Sequence, residues 1–224
     1  MKVLILDSGP IINLAINGLL YVFENLKENF DGKFIITNEV KREIYDKPIK
    51  VQRFELEALR IKQLIDKKIF EFPESIGINT SELEKETRRL MDIANTSIES
   101  HHRKIKIMSE AEMSCIALSK ILTKKKIENI IAVDERTARI ISEKPENLQK
   151  IISNKIHEKA KLVNPHLEDF KHLKFIRSSE IVYVAHKKGL TNLKDKKALE
   201  AFLYATKFKG SSISWDEIRA LKKL

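Results

Sequence analysis

The chain has 224 residues, 42% of them hydrophobic, enough to build one large domain or a domain with an extension. Its 42 Lys and Arg against 32 Asp and Glu leave a formal charge of +10, which favours a polyanionic partner, nucleic acid or an anionic membrane surface. The lone Cys115 rules out an intramolecular disulfide and a cysteine metal cluster, and it suits a reducing compartment as a core residue. No segment approaches the roughly 20 apolar residues of a membrane span. The amino-terminal apolar run meets Asp7 before it reaches the roughly 7 to 15 residues of a signal-peptide core. A cytoplasmic protein with no membrane partner is therefore the expectation.

Val3-Leu4-Ile5-Leu6 stops abruptly at Asp7-Ser8-Gly9-Pro10, the pattern of a strand buried on both faces that delivers a carboxylate to its carboxyl end. The same four residues also suit a helix start, with Asp7 or Ser8 as cap and Pro10 at the first helical position. The next stretch predicts two short helices broken near Asn17-Gly18, and Lys33-Phe34-Ile35-Ile36 predicts a second strand. Thr37 or Asn38 can cap the helix that carries Glu39 and Glu43. From Val51 to Lys68 the residues Phe54, Leu56, Leu59, Ile61, Leu64 and Ile65 fit one face of a helix, and Ile69 to Pro73 reads as a brief extended piece. Ser81 is placed as the cap of a helix running to about Ser100, and this pair of helices reads as a flank or lid.

Ser109 and Glu112 have the spacing of a capping box. Ile127 to Val133 is another buried strand, and it too ends at a carboxylate, Asp134-Glu135. Residues 146–173 form a polar, mostly helical stretch, read as an insertion. Phe175 to Ser179 is a fifth strand, followed by a helix that Gly189 closes. A helix from Lys196 to Phe208 and a last one capped by Ser214 form the tail, with 209–224 a helical extension. The alternation of strand and helix predicts an α/β fold, taken as a single domain over 1–224.

Asp7 and Asp134 at strand ends, with Glu43 and Glu112 in the first turns of helices, can converge on one edge of a parallel sheet. Carboxylates crowded at low dielectric repel, and a divalent cation relieves this. An all-oxygen set selects Mg²⁺ or Mn²⁺, and such an ion activates water towards a phosphodiester. Each acid also has a plainer reading: Glu112 closing its capping box, Glu43 on a solvated helix, Glu39 or Glu135 standing in for a neighbour. His101-His102 lack the i, i+4 spacing of a zinc helix and read as surface residues. Arg136 and Arg139, one turn apart after Asp134, and Lys187-Lys188 either hold phosphates or form a solvated face. Tyr183 and Phe202 read as core.

Four segments together resemble the PIN-domain ribonucleases. They are Leu6-Asp7-Ser8-Gly9-Pro10 with Ile12-Asn13-Leu14, Thr37 to Ile44, Ser109-Glu110-Ala111-Glu112 with Ile116-Ala117-Leu118, and Val133 to Arg139. They match in order the four acidic motifs of that family, over about residues 1–144 and 174–208. The resemblance implies a three-layer α/β/α sandwich with a central parallel sheet and extra helices. It also implies Mg²⁺- or Mn²⁺-dependent hydrolysis of RNA that leaves 5′-phosphate and 3′-hydroxyl ends. Asp7, Glu43, Glu112 and Asp134 would be the catalytic and metal-binding acids, with Ser8 and Glu135 supporting and Arg136, Arg139, Lys187 and Lys188 on RNA. Many relatives are toxins of toxin–antitoxin pairs with an antitoxin partner, many form homodimers, and others process ribosomal or transfer RNA. Many carry Gly where this chain has Ala111, and Asp-Asp where it has Asp134-Glu135, so which of the latter two faces the ion stays open. A non-catalytic RNA-binding or scaffold protein of the same fold is the alternative. Phosphoaspartyl hydrolases and receiver domains also place Asp after the first strand, but the former need a second Asp where this chain has Gly9, and the Lys pattern of the latter is missing.

Overall fold

The computed structural model describes residues 1–163 and 167–223. Its first strand, β1 (Lys2–Leu6), is followed by α1 (Ser8–Ile16), α2 (Tyr21–Glu28), β2 (Gly32–Ile35), α3 (Asn38–Lys41), α4 (Glu55–Asp66) and β3 (Phe70–Glu71). Next come α5 (Thr80–Asn95), β4 (Ile98–Ser100), β5 (Arg103–Lys104), α6 (Glu110–Lys124) and β6 (Glu128–Ala132). The rest comprises α7 (Arg136–Glu143), α8 (Leu148–Ile156), β7 (Lys161–Leu162), β8 (Phe175–Ile176), α9 (Ser178–Lys187), α10 (Ala198–Phe208) and α11 (Trp215–Leu221).

Five of the strands make one wholly parallel sheet in the order β3-β2-β1-β6-β8. Val3 to Leu6 are buried because β1 has a neighbour on each side and helices over both faces, which explains its uninterrupted apolar run. On one face α6 lies along β1 and β6 and packs against α5; α1, α2 and α9 pack together in the other layer, with α2 against β2. The architecture is thus the three-layer α/β/α sandwich, with β1 at its centre. From β1 the chain winds outward through β2 to β3, then returns to the opposite side of β1 to form β6 and β8. The order reverses between β1 and β6, and in open parallel sheets the crevice at such a reversal, beyond the carboxyl ends of the strands, is where ligands bind.

Of three local expectations, two are corrected and one is met. The helix placed from Ser81 to Ser100 is shorter: Asn79 caps it, accepting from the Ser81 amide at 2.8 Å, and it ends at Asn95. The Thr96 and Ser97 hydroxyls bond the Asp92 and Ile93 carbonyls at 2.6 and 2.5 Å, satisfying the last turn. Ile98–Ser100 is then free to form β4. Second, His101 and His102 are exposed, as expected, as the two left-handed turn residues (φ +47° and +61°) of the β4–β5 hairpin. Third, 146–173 is not mostly helical: beyond α8 it supplies β7, which pairs antiparallel with β4, while its residues 164–166 lie outside the described residues. Leu148, Ile152, Leu167 and Phe170 join the main core, and Asp169 is held by Arg89 at 2.8 Å and Lys120 at 2.7 Å.

In α4 it is Ala58, Ile61 and Leu64 that are buried; Leu56 and Leu59 stay 55% and 46% exposed. Cys115 and Phe202 are buried, and Tyr183 is half-buried against a small second cluster of Leu203, Ile213 and Ile218. Among the described residues, no helix is long and apolar enough to cross a membrane.

Candidate functional site

At the carboxyl edge of the sheet, Asp7, Ser8, Gly9, Glu43, Ser109, Glu112, Asp134 and Glu135 line one open pocket of about 510 Å³. Parallel pairing puts the ends of β1 and β6 side by side, with Leu6 opposite Ala132, and the Asp7 amide donates to the Ala132 carbonyl at 3.0 Å. Asp7 and Asp134 therefore flank the point where the strand order reverses. Gly9 sits between them: a Cβ there would lie 3.4 Å from Asp7 Oδ2 and 3.5 Å from the Asp134 Cβ, in van der Waals contact with both acids.

Asp7 fulfils both of its sequence readings, since Oδ2 accepts from the Gly9 amide at 3.3 Å as the cap of α1. Its Oδ1 is buried with no hydrogen-bond partner among the described residues. Burial, reinforced by Glu43 and Asp134 and opposed by the Ser8 and Gly9 amides, pushes the carboxyl up to about 7. Glu43 enters from the π-helical turn 42–46 that continues α3 and accepts the Ser8 hydroxyl at 2.7 Å. Thr37, accepting from the Val40 amide at 3.3 Å, starts that helix as expected. Glu39 lies outside the pocket lining and pairs with Arg42 at 3.5 Å.

The capping box is present: the Ser109 amide donates to Glu112 Oε2 at 2.7 Å, and the Glu112 amide donates to Ser109 Oγ at 3.1 Å. The box uses only one oxygen. Glu112 Oε1 is buried without a partner among the described residues, and burial, with Asp7 nearby, raises this carboxyl well above its usual range.

Asp134 is the most constrained of the four. The Ser178 amide donates to Oδ1 at 2.8 Å, the Ser178 hydroxyl lies 2.9 and 2.8 Å from its two oxygens, and Asn13 Nδ2 donates to Oδ2 at 3.0 Å. Burial raises its pKa while these donors oppose the rise. Glu135 also lines the pocket, but its side chain is 42% exposed and binds Lys155 at 2.5 Å and Thr137 at 3.1 Å. Asp134 is therefore the member of the pair held at the switch point.

Arg136 lines this pocket and, with Arg139, Lys144, Lys150 and Arg177, an adjoining cleft of about 590 Å³ that shares Ser212 with it. Lys187 and Lys188 do not belong here. They end α9, nine and ten residues beyond Ser178, hence about 14 Å along the helix and away from the edge that bears the acids.

Several groups at the site were given no role in the sequence reading. Asn13 reaches both Asp134 and the Thr206 carbonyl, at 2.8 Å; its sequence signals are its place in the first motif and its polarity amid the apolar residues of α1. Lys209, Gly210 and Ser212 come from the loop after α10, and the Ser212 amide donates to the Asp134 carbonyl at 3.1 Å. Only the tertiary fold brings that loop to the site.

The donor set suits a hard divalent cation: four carboxylates, two of them with buried oxygens lacking partners and with raised pKa values. Among the described residues no three Asp, Glu, His or Cys side chains converge closely enough to enclose an ion by themselves. Mg²⁺ does not require such a cage, since it keeps several waters and takes one or two carboxylates directly. Comparison with protein-family models, curated proteins and solved structures gave no match for this chain.

Proposed function

We propose that this protein is a Mg²⁺- or Mn²⁺-dependent endoribonuclease of the PIN-domain kind, with Asp7, Glu43, Glu112 and Asp134 as the acids that hold the cation. The observation that carries this reading is the pair of partnerless buried oxygens, Asp7 Oδ1 and Glu112 Oε1, in a pocket that also contains Glu43 and Asp134 and opens onto an arginine- and lysine-lined cleft. When bound, the cation supplies an activated water and neutralises charge developing on the phosphodiester.

The chain's own groups do the positioning. Ser178 and Asn13 fix Asp134, Ser8 orients Glu43, and the capping box fixes one oxygen of Glu112 so that the other is presented. Arg136 and Arg139 hold backbone phosphates beside the acids, and Lys144 and Lys150 extend that positive wall along the cleft.

The test is incubation of the protein with labelled RNA and Mn²⁺ beside an Asp7→Asn variant. Cleavage by the native chain, abolished by chelation and reduced at least about a hundredfold in the variant, is the expected result. Equal cleavage by both, or none by either across several RNAs, leaves the non-catalytic RNA-binding reading in its place.

A homodimer is supported by the exposed apolar residues Ile12 and Ile16 of α1 and Phe54 just before α4, which line one open cleft of about 480 Å³. In a toxin–antitoxin pair, the antitoxin would cover this same face. Sedimentation of native chain and Ile16→Glu checks the dimer: a shift from dimer to monomer supports it, and a monomer in both removes it.

A further inference from the structure

The loop that brings Lys209, Gly210 and Ser212 to the acidic pocket is bracketed by two exposed aromatic residues, Phe208 before it and Trp215 after it. Phe208 is 70% exposed and Trp215 49%. Their ring centroids lie 5.9 Å apart, and Tyr204 completes the set at 6.4 Å from Phe208 and 5.5 Å from Trp215. Lys207 braces the group: its ammonium lies 4.7 Å from the centre of the Trp215 ring and donates to the Ile213 carbonyl at 2.5 Å. Phe208 and Trp215 stay largely in water although α10 and α11 bury Leu203, Ile213 and Ile218 close by, with Tyr204 half-buried against them.

Grouped aromatic faces beside cationic side chains are how proteins hold single-stranded nucleic acid, since bases stack on the rings while lysines follow the backbone. Phe208 adjoins Lys209, one Cα step of about 3.8 Å away, and Trp215 is three residues from Ser212, no more than about 11 Å of chain. A base on this platform is therefore attached to a strand whose next phosphates reach Lys209 and the acidic pocket.

We propose that Tyr204, Phe208 and Trp215 form a stacking platform for unpaired bases of an RNA strand whose backbone crosses Lys209 into the acidic pocket. This rests on the reading of that pocket as a site for RNA hydrolysis. Charge complementarity selects the occupant: Lys207 lies over the Trp215 ring and Lys209 follows Phe208, while Arg219 and Lys222 are paired with Asp216 and Glu200, and the chain carries a formal charge of +10, so a polyanion with flat apolar faces matches both features.

Trp215 is the only tryptophan, so its emission reports on the platform directly. Full-length protein in EDTA is titrated with short oligoadenylate at low salt, following tryptophan emission together with the anisotropy of a labelled copy of the same RNA. The expected result is saturable quenching that tracks the anisotropy, with affinity about tenfold weaker in Phe208→Ala, a largely exposed position whose truncation spares the core. Binding seen by anisotropy without change in emission, native affinity in Phe208→Ala, or no RNA binding at all overturns the platform. So does an emission change that depends on protein concentration without RNA, which assigns the face to a second copy. The two readings fail separately. Quenching that Phe208→Ala weakens, in a protein that never cleaves RNA with Mn²⁺, retains the platform and removes the nuclease. Cleavage lost in Asp7→Asn but native binding in Phe208→Ala does the reverse.

Discussion

Ser8 donates its hydroxyl to Glu43 across 2.7 Å, joining the first turn of α1 to a π-helical turn 35 residues later. Glu43 lies on a short, irregular segment, and this bond fixes its carboxylate relative to Asp7. Hydrogen bonds to charged groups are worth about 1.5–3 kcal/mol. Ser8→Ala is expected to lower RNA cleavage about tenfold and to raise the Mn²⁺ concentration needed for half-maximal rate, while Ser8→Thr, which keeps the hydroxyl, restores much of both. A metal titration of the cleavage rate for the three proteins reads this out, and native behaviour of Ser8→Ala would leave Glu43 with no need of its partner.

Asp7 gives a pH dependence of defined sign. Its folded carboxyl titrates near 7 against an ordinary 3.8, because burial disfavours the charged form. Between those values the native chain binds more protons than the unfolded one, so stability falls as pH rises through the window. The penalty at pH 8 is on the order of a few kcal/mol. Asp7→Asn keeps a capping side chain without the charge. It is expected to melt several degrees above the native chain at pH 8 in chelator and to lose that advantage near pH 4. Adding Mn²⁺ at pH 8 should stabilise the native chain more than the variant. A calorimetric melt across pH checks all three statements.

Ser178 carries the orientation of Asp134, with its amide and hydroxyl both on the carboxylate. Ser178→Ala leaves a buried acceptor short of a donor, at a cost of about 1–3 kcal/mol. Such a loss lowers the melting temperature by roughly 2–4 °C per kcal/mol in a chain of this size. Without the hydroxyl the pKa of Asp134 rises further, so the acid limb of the pH–rate profile should move upward. Unchanged melting and an unchanged profile would mean that Asn13 and the residue-178 amide suffice without the hydroxyl.

The parts of this architecture that were legible in the sequence are those fixed by local chemistry. Val3–Leu6 and Ile127–Val133 read as buried strands, and burial is complete for Val3–Leu6 and Ile131–Val133; Ser109-Glu112 declared its capping box and Ser214 its cap, and both form. What stayed hidden depends on long-range contacts. Ile98–Ser100 becomes a strand because β7, more than 60 residues on, pairs with it, and no short window contains that partner. Leu56 and Leu59 share the apolar character of Ile61, yet only packing against α1 and the turn after α3 decides which of them is buried. At the site, Asp7 and Asp134 were legible as strand ends and Glu112 as the start of a helix, while Glu43 was reached from the helix that Thr37 starts. Asn13, Ser178 and Lys209 were not assigned, since their roles exist only once α1, α9 and the loop after α10 meet at Asp134.

That loop is held by Arg177, buried between Glu180 and Glu217, with Glu217 Oε1 at 2.9 Å, so α11 is tied to the strand end that precedes Ser178. Partial burial works against the Glu217 carboxylate, but Arg177 and the Ser214 amide outweigh it and hold the pKa at about 2, below the ordinary 4.5. A depressed acid adds stability above its unfolded pKa and loses it as pH falls through the folded value, so the contribution is full above about pH 4.5 and gone near pH 2. The Glu217 side chain is 44% exposed, so solvent screening limits its share to about 1 kcal/mol. Glu217→Gln is expected to lower the melting temperature by a few degrees at pH 7 and not at all near pH 2. It should also speed tryptic cleavage after Lys209, because the loop loses its anchor beside Ser212. Equal digestion rates for the two proteins would show that the Ser212–Asp134 backbone bond holds the loop without α11.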